Sequence, residues 1–432
     1  MAETIKFAND MKKKTVFAAP IIISAALCVT GCNLEESFGY PTPVIDGGIE
    51  LTQDQLKLVS HSNEFAFDLF RQVMSPKESD TKSYILSPIS ITYALGMLNN
   101  GAAGNTQAEI NKVLGFEEFG ADSINAFCKK MMDIAPKLDS LTKVMISNNI
   151  YVNDDYALMD DFVRKANTYY YAYPETRNFH DGKTMNVINK WASDHTEGMI
   201  PEILDDKSFN PYTVSYLLNA IYFKGTWKYK FDKSYTQDED FYLPGNTGDV
   251  ATRPMMHQAE EFYYAETNDY KALRLPYGNE TFQMTILLPL SDSQPNNLPK
   301  IPGKKTWDEL NKKMKKTQVD VSLPRFETDT DIDLTKVMPE LGMIDAFIPN
   351  QADFRDFCDV PTYIDLMKQV AKIKLDEEGS EAAAVTVIGM RDNAIGEPGP
   401  KYEIFHADHP FLYVISEIGS GAIFFIGRYT GY

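Results

Sequence analysis

Glu377-Glu378-Gly379-Ser380-Glu381-Ala382-Ala383-Ala384-Val385-Thr386-Val387-Ile388 stands near the C-terminal end of a 432-residue chain. It opens as a charged turn around Gly379 and continues as small, uncharged and β-branched residues, broken only by Glu381. Three alanines alone favour helix, whereas Val385 to Ile388 favours strand. A segment that is an exposed loop in one state and a sheet strand in another needs this composition. Alternate side chains of such a strand face inward, where charge is costly. The inward set is Ser380, Ala382, Ala384, Thr386 and Ile388, none of them charged, and Glu381 falls on the outward set.

Further stretches, in order along the chain, carry a family resemblance. They are Ser87-Pro88-Ile89-Ser90-Ile91 with Gly101-Ala102-Ala103-Gly104-Asn105-Thr106, and Asn219-Ala220-Ile221-Tyr222-Phe223-Lys224-Gly225-Thr226-Trp227. Leu323-Pro324-Arg325-Phe326, Leu341-Gly342-Met343, His409-Pro410-Phe411 and Gly421-Ala422-Ile423-Phe424-Phe425-Ile426-Gly427-Arg428 follow. Together with the 377–388 stretch they resemble the serpins from Asn63 to Arg428. That resemblance implies an α+β fold, with helices packed around a large central mixed β-sheet plus smaller sheets and an exposed reactive-centre loop.

It also implies an inhibitor of serine proteases, and of some cysteine proteases, that is not itself an enzyme. The hinge would be Glu378, Gly379, Ser380, Glu381, Ala382, Ala383 and Ala384. Family spacing sets the scissile bond between Asn393 and Ala394. Asn393 is an unusual residue for a protease's primary pocket, and Arg391 would suit a trypsin-like pocket holding an aspartate. Cleavage there shortens the inserting strand by two residues, about 7 Å. By position, Ser87, Ser90, Asn219 and Gln369 resemble the polar cluster that gates the serpin main sheet. The family's usual histidine is replaced by Gln369, whose amide donates and accepts without titrating. The alternative to inhibition is a non-inhibitory serpin-fold protein that binds a partner or plays a structural part at the cell surface.

The formal net charge is −19, and residues 32–432 carry 38 basic against 59 acidic groups. That balance argues against nucleic acid as a partner. The run Lys312, Lys313, Lys315, Lys316 reads as a solvated helix face. Lys12, Lys13 and Lys14 precede an apolar stretch, Val16 to Val29, too short to span a membrane as an ordinary helix. Val29-Thr30-Gly31-Cys32 looks like a bacterial lipobox. The expected division is a lipoprotein signal over residues 1–31 with its true start at Met11, a lipidated Cys32 with a flexible tether to residue 50, and one domain over 51–432. Glu35 and Glu36 resemble the surface-export signal of lipoproteins from Bacteroides-like bacteria. The expected product is a monomer anchored through Cys32 to a membrane, at the outer membrane or cell surface. Cys128 and Cys358 then remain as buried free thiols.

Periodicity predicts an amphipathic helix over Asn63–Val73, a buried helix over Ser90–Asn99 and a helix over Met185–Ile200. Strands are expected at Asn149–Val152, Val214–Phe223, Phe282–Leu288 and Thr362–Leu375, and an exposed loop over Ser291–Lys305. Trp191, Trp227 and Trp307 read as packing residues. Ile418-Gly419-Ser420-Gly421 lacks the G-x-S-x-G spacing of a hydrolase elbow and reads as a hairpin turn. His406 and His409 could share a metal, but no Cys or carboxylate cluster supports them. No cofactor is expected, because the chain holds neither a phosphate-binding glycine loop nor a zinc-protease helix.

Overall fold

A computed structural model describes residues 48–74, 81–245, 248–290, 300–380 and 401–432. The strands up to mid-chain are β1 (Tyr84–Leu86), β2 (Thr142–Asn153), β3 (Glu175–Arg177), β4 (Ser215–Thr226), β5 (Gln237–Tyr242), β6 (Val250–Glu266) and β7 (Tyr270–Pro276). They continue as β8 (Phe282–Pro289), β9 (Lys315–Pro324), β10 (Phe326–Asp333), β11 (Leu366–Leu375) and β12 (Gly379–Ser380). The last are β13 (Glu403–His406), β14 (Phe411–Glu417) and β15 (Ile423–Tyr429). One sheet runs β1-β15-β14-β8-β7-β6-β9-β13, with β5 paired to β6. The other runs β10-β11-β4-β2-β3, with β12 paired to β4.

β4 is the spine of the second sheet. Its sequence Ser-Tyr-Leu-Leu-Asn-Ala-Ile-Tyr-Phe is buried throughout, as a strand covered on both faces must be. Leu217, Ile221 and Phe223 face the main core, while Tyr216, Leu218 and Ala220 face a second cluster with Ile188, Ala192, Ile203 and Leu204. The main-core side is covered by the helix Pro88–Leu98, every residue of which is buried. Proline at its first turn fits the position where no backbone donor is needed.

The Asn63–Val73 expectation lies inside a longer helix, Gln53–Met74, and the expected strands at 149–152, 214–223 and 282–288 lie within or largely coincide with β2, β4 and β8. The helix expected to reach Ile200 spans Thr184–His195. Glu197 and Gly198 take positive φ (53° and 80°) and turn the chain, so Ile200 is buried from outside the helix. The lysine run is no single helix face: Lys312 and Lys313 end the helix Lys304–Lys313, and Lys315 and Lys316 begin β9. Lys304 and Lys305 therefore open a helix rather than close a loop. The strand expected from Thr362 starts at Leu366. Residues 418–421 do join antiparallel β14 and β15, Cys128 and Cys358 are buried free thiols, and Trp227 and Trp307 are buried.

Candidate functional site: a sheet held shut and a strand started

β11 and β4 run parallel and are paired from Leu366↔Tyr216 to Lys372↔Tyr222. Beyond that point β11 continues to Leu375 on β10 alone. The chain then reverses through Asp376–Gly379, with Asp376 N–H donating to Gly379 O at 2.8 Å. Gly379 and Ser380 come back antiparallel to β4, opposite Thr226 and Gly225. Gly379 has φ 141°, and a Cβ there would stand 2.0 Å from the Gly225 carbonyl oxygen. Only glycine permits both the reversal and the close approach.

This short strand is held from several sides. Trp227 N–H donates to Glu378 O at 2.8 Å and Phe231 N–H to Glu377 O at 3.0 Å. The Trp227 indole donates to Asp376 O at 3.0 Å and stacks on Tyr277 with centroids 4.3 Å apart. The hydroxyls of Tyr277 and Ser380 lie 3.0 Å apart, and Ser380 is buried. Glu378 pairs with Lys230 at 2.7 Å and Lys233 at 3.4 Å. Buried Glu377 pairs with Arg325 and accepts from the Thr236 hydroxyl at 2.7 Å. Burial alone would raise the Glu377 pKa, but the hydrogen bonds from Arg325 and Thr236 outweigh it and hold it below the ordinary 4.5. The hydrogen bond from Lys230 is the main reason Glu378 also lies below that value.

Lower in the sheet, the structure brings Ser87, Ser90, Asn219 and Gln369 into one buried network. Gln369 Nε2 lies 2.9 Å from each of Ser87 O, Ser90 Oγ and Asn219 Oδ1, and its Oε1 accepts from Ser87 N–H at 3.0 Å. Ser90 Oγ donates to Asn219 Oδ1 at 2.7 Å, and Asn219 Nδ2 to Asn148 Oδ1 at 2.8 Å. The Ser87 hydroxyl donates to Phe424 O rather than capping its helix. Asn148 escaped the sequence reading, although an Asn-Asn pair interrupting the expected approach to a strand at 149–152 was a usable signal. Trp227, read only as packing, also clamps the turn that carries Gly379. Glu381, Ala382, Ala383, Ala384, Arg391, Asn393, Ala394 and Cys32 lie outside the described residues.

His406 lies on β13, whereas His409 is buried, with Nδ1 2.7 Å from Asp408 Oδ1 and Nε2 2.9 Å from Pro289 O. Among the described residues no three His, Cys, Asp or Glu side chains surround a common point for a metal.

A family model described as serpin (serine protease inhibitor) matches residues 60–431. Leukocyte elastase inhibitor from Equus caballus is 33% identical over 386 residues, covering 87% of this chain and 99% of that protein. The native-state crystal structure of a thermophilic serpin, tengpin, superposes with TM-score 0.79 at 27% identity, covering 89% of this chain and 95% of that one. Human thyroxine-binding globulin complexed with its hormone superposes with TM-score 0.77 at 25% identity, covering 87% and 98%. The chain belongs to the serpin family and has its fold. Members of that family are mostly protease inhibitors.

Proposed function

We propose that this chain traps proteases as a suicide substrate, the loop after Ser380 being cut and then inserted between β11 and β4. The antiparallel start of β12 on β4, at the mouth of two parallel strands, carries the reading. Because each step forward on an antiparallel strand is one step back on β4, continuing the same register in the inserted state would bring residue 381 against 224 and residue 390 against 215. Ala382, Ala384, Thr386 and Ile388 would then lie over Phe223, Ile221, Asn219 and Leu217, on the main-core face. Glu381 would take the other face beside Lys224. Thr386 would come between Asn219 and Gln369, and its hydroxyl can both donate and accept, so the buried network can re-pair.

The chemistry belongs to the protease. Its serine or cysteine attacks the carbonyl of the residue before the scissile bond and forms an acyl-enzyme, while the C–N bond breaks and the nitrogen, protonated by the protease's general acid, leaves as the amine of a new N-terminus. Insertion before hydrolysis drags the tethered enzyme across the sheet and distorts its active site. The driving free energy is that of a native state held by kinetics. β4 begins at Ser215, which Met390 would face in the inserted state, so attack at Arg391 or at Asn393–Ala394 would fill its whole length equally. Asn393–Ala394 rests on family spacing and Arg391 on pocket chemistry.

In this reading the inhibitor works outside the cell, a monomer anchored through lipid on Cys32, against serine and some cysteine proteases. Metabolic palmitate labelling that is lost in Cys32→Ala tests the anchor. Insertion is tested by melting the protein before and after cleavage in the loop. A large upward shift on cleavage is expected, and unchanged melting would favour the non-inhibitory alternative, a binding or structural module.

A further inference from the structure

At the lower end of the seam between β4 and β11 the two strands are pinned by side chains. Their pairing begins at Leu366↔Tyr216, and just below it the Thr213 hydroxyl donates to the Asp365 carboxylate at 2.7 Å. On the main-core side of this point lies a cavity of about 10 Å³, the room of about one water. Its walls are Leu98, Ile150, Leu217, Phe354, Phe357 and Ile364, all of them buried. Ser215 and Thr362 also line it. Thr362 is 5% exposed, yet its hydroxyl has no hydrogen-bond partner among the described residues. Buried hydroxyls are nearly always paired, and this one stands at an apolar cavity at the foot of the seam.

We propose that this cavity is the seat of Met390, which ends the inserted strand; the inference rests on the insertion proposed above. Gly379 and Ser380 lie opposite Thr226 and Gly225, so a strand continued in step down β4 reaches Ser215 at residue 390. Residues directly opposite across an antiparallel ladder share a face. Ser215 and Leu217, two residues apart on β4, both line the cavity. Met390 is thus the last residue facing the main core before β4 runs out at Ser215.

The cavity widens as the strand enters. Its walls belong to two bodies: Ile150 and Leu217 stand on β2 and β4, whereas Thr362 and Ile364 lead into β11. Neighbouring strands lie about 4.8 Å apart, so an added strand carries the second wall away from the first by one such spacing. A void with room for one water becomes a slot one side chain wide. Methionine is unbranched and adaptable, and its sulfur is a weak acceptor for the Thr362 hydroxyl. Seating it fixes the last residue of the strand on the main core, which holds the tethered protease at the bottom of the sheet.

The test compares the intact chain with the chain cut by trypsin after Arg391 and freed of the enzyme. Readouts are melting and the rate at which peroxide oxidises Met390, followed by peptide mass spectrometry with exposed Met159 as the internal standard. Cleavage should slow oxidation of Met390 relative to Met159 at least about tenfold, since sulfoxide formation follows exposure. Met390→Asp should leave melting of the intact chain unchanged and reduce the rise on cleavage, and Met390→Leu should keep that rise. A rise in melting with Met390 oxidised as fast as before would overturn the seat and leave insertion standing. So would a rise cut by Ile388→Asp but not by Met390→Asp, which gives the cavity to Ile388. No rise on cleavage of the parent would overturn insertion, and the seat with it.

Discussion

Gln369 and Asn219 stand opposite each other on the two parallel strands at the centre of the second sheet, and the Gln369 amide donates to the Asn219 side chain at 2.9 Å. The same pair that joins β11 to β4 must part for a new strand to enter between them. In the proposed insertion, holding and opening would both be properties of this buried contact, and its chemistry would govern how readily the sheet opens.

Asn219→Ala takes the donor from buried Asn148 Oδ1 and one acceptor each from Gln369 Nε2 and Ser90 Oγ, which both keep Ser87 O. An unsatisfied buried group costs about 1–3 kcal/mol, so the native melting temperature should fall. The loop-cleaved form, in which Thr386 would supply a partner, should fall less. Paired thermal scans of the two forms check this.

Gln369→His should introduce a pH response that the amide cannot give. Burial disfavours the charged imidazole, so the variant should lose stability as pH falls below about 6.5. The parent's melting, measured alongside at pH 5.5 and 8, supplies the difference to be read.

Glu377 and Glu378 have pKa values held below 4.5 by Arg325, Thr236, Lys230 and Lys233. A lowered folded pKa gives stability that is complete above the unfolded value and is lost as pH falls through the folded one. The advantage of the parent over Glu378→Gln should thus be full above about pH 5 and should shrink progressively below the ordinary 4.5. Trp227 stacks beside the turn these residues form, so its fluorescence during acid titration reports the loss.

Ala384→Arg would place a charge over Ile221 on the main-core face of β4, where a cation is costly. The account predicts normal cleavage by protease with at least about tenfold fewer trapped complexes, since each 1.4 kcal/mol is a factor of ten. Glu381→Lys, which would fall beside partly exposed Lys224 on the opposite face, should cost far less.

Much of this was legible in the sequence because local chemistry wrote it there. The unbroken apolar run around Asn219 marks a strand covered on both sides. Gly379 marks a reversal that no Cβ tolerates. The contacts around the hinge were less legible. Arg325 stands 52 residues from Glu377 and Lys230 stands 148 from Glu378, and pairing across such distances is set by tertiary register. The overlong helix expectation at Ile200 failed because a buried isoleucine kept the periodicity alive past a turn at Glu197 and Gly198. The lysine run failed because charge alone does not distinguish a helix end from a strand start.

The most direct measurement is incubation of the mature chain with trypsin-like, elastase-like and cysteine proteases, followed by denaturing gels and mass spectrometry of the released C-terminal peptide. The account predicts a covalent complex that survives denaturation, with the peptide beginning at Ala394 or after Arg391. Clean cleavage in the loop with no complex across the panel would contradict trapping while leaving the fold as described.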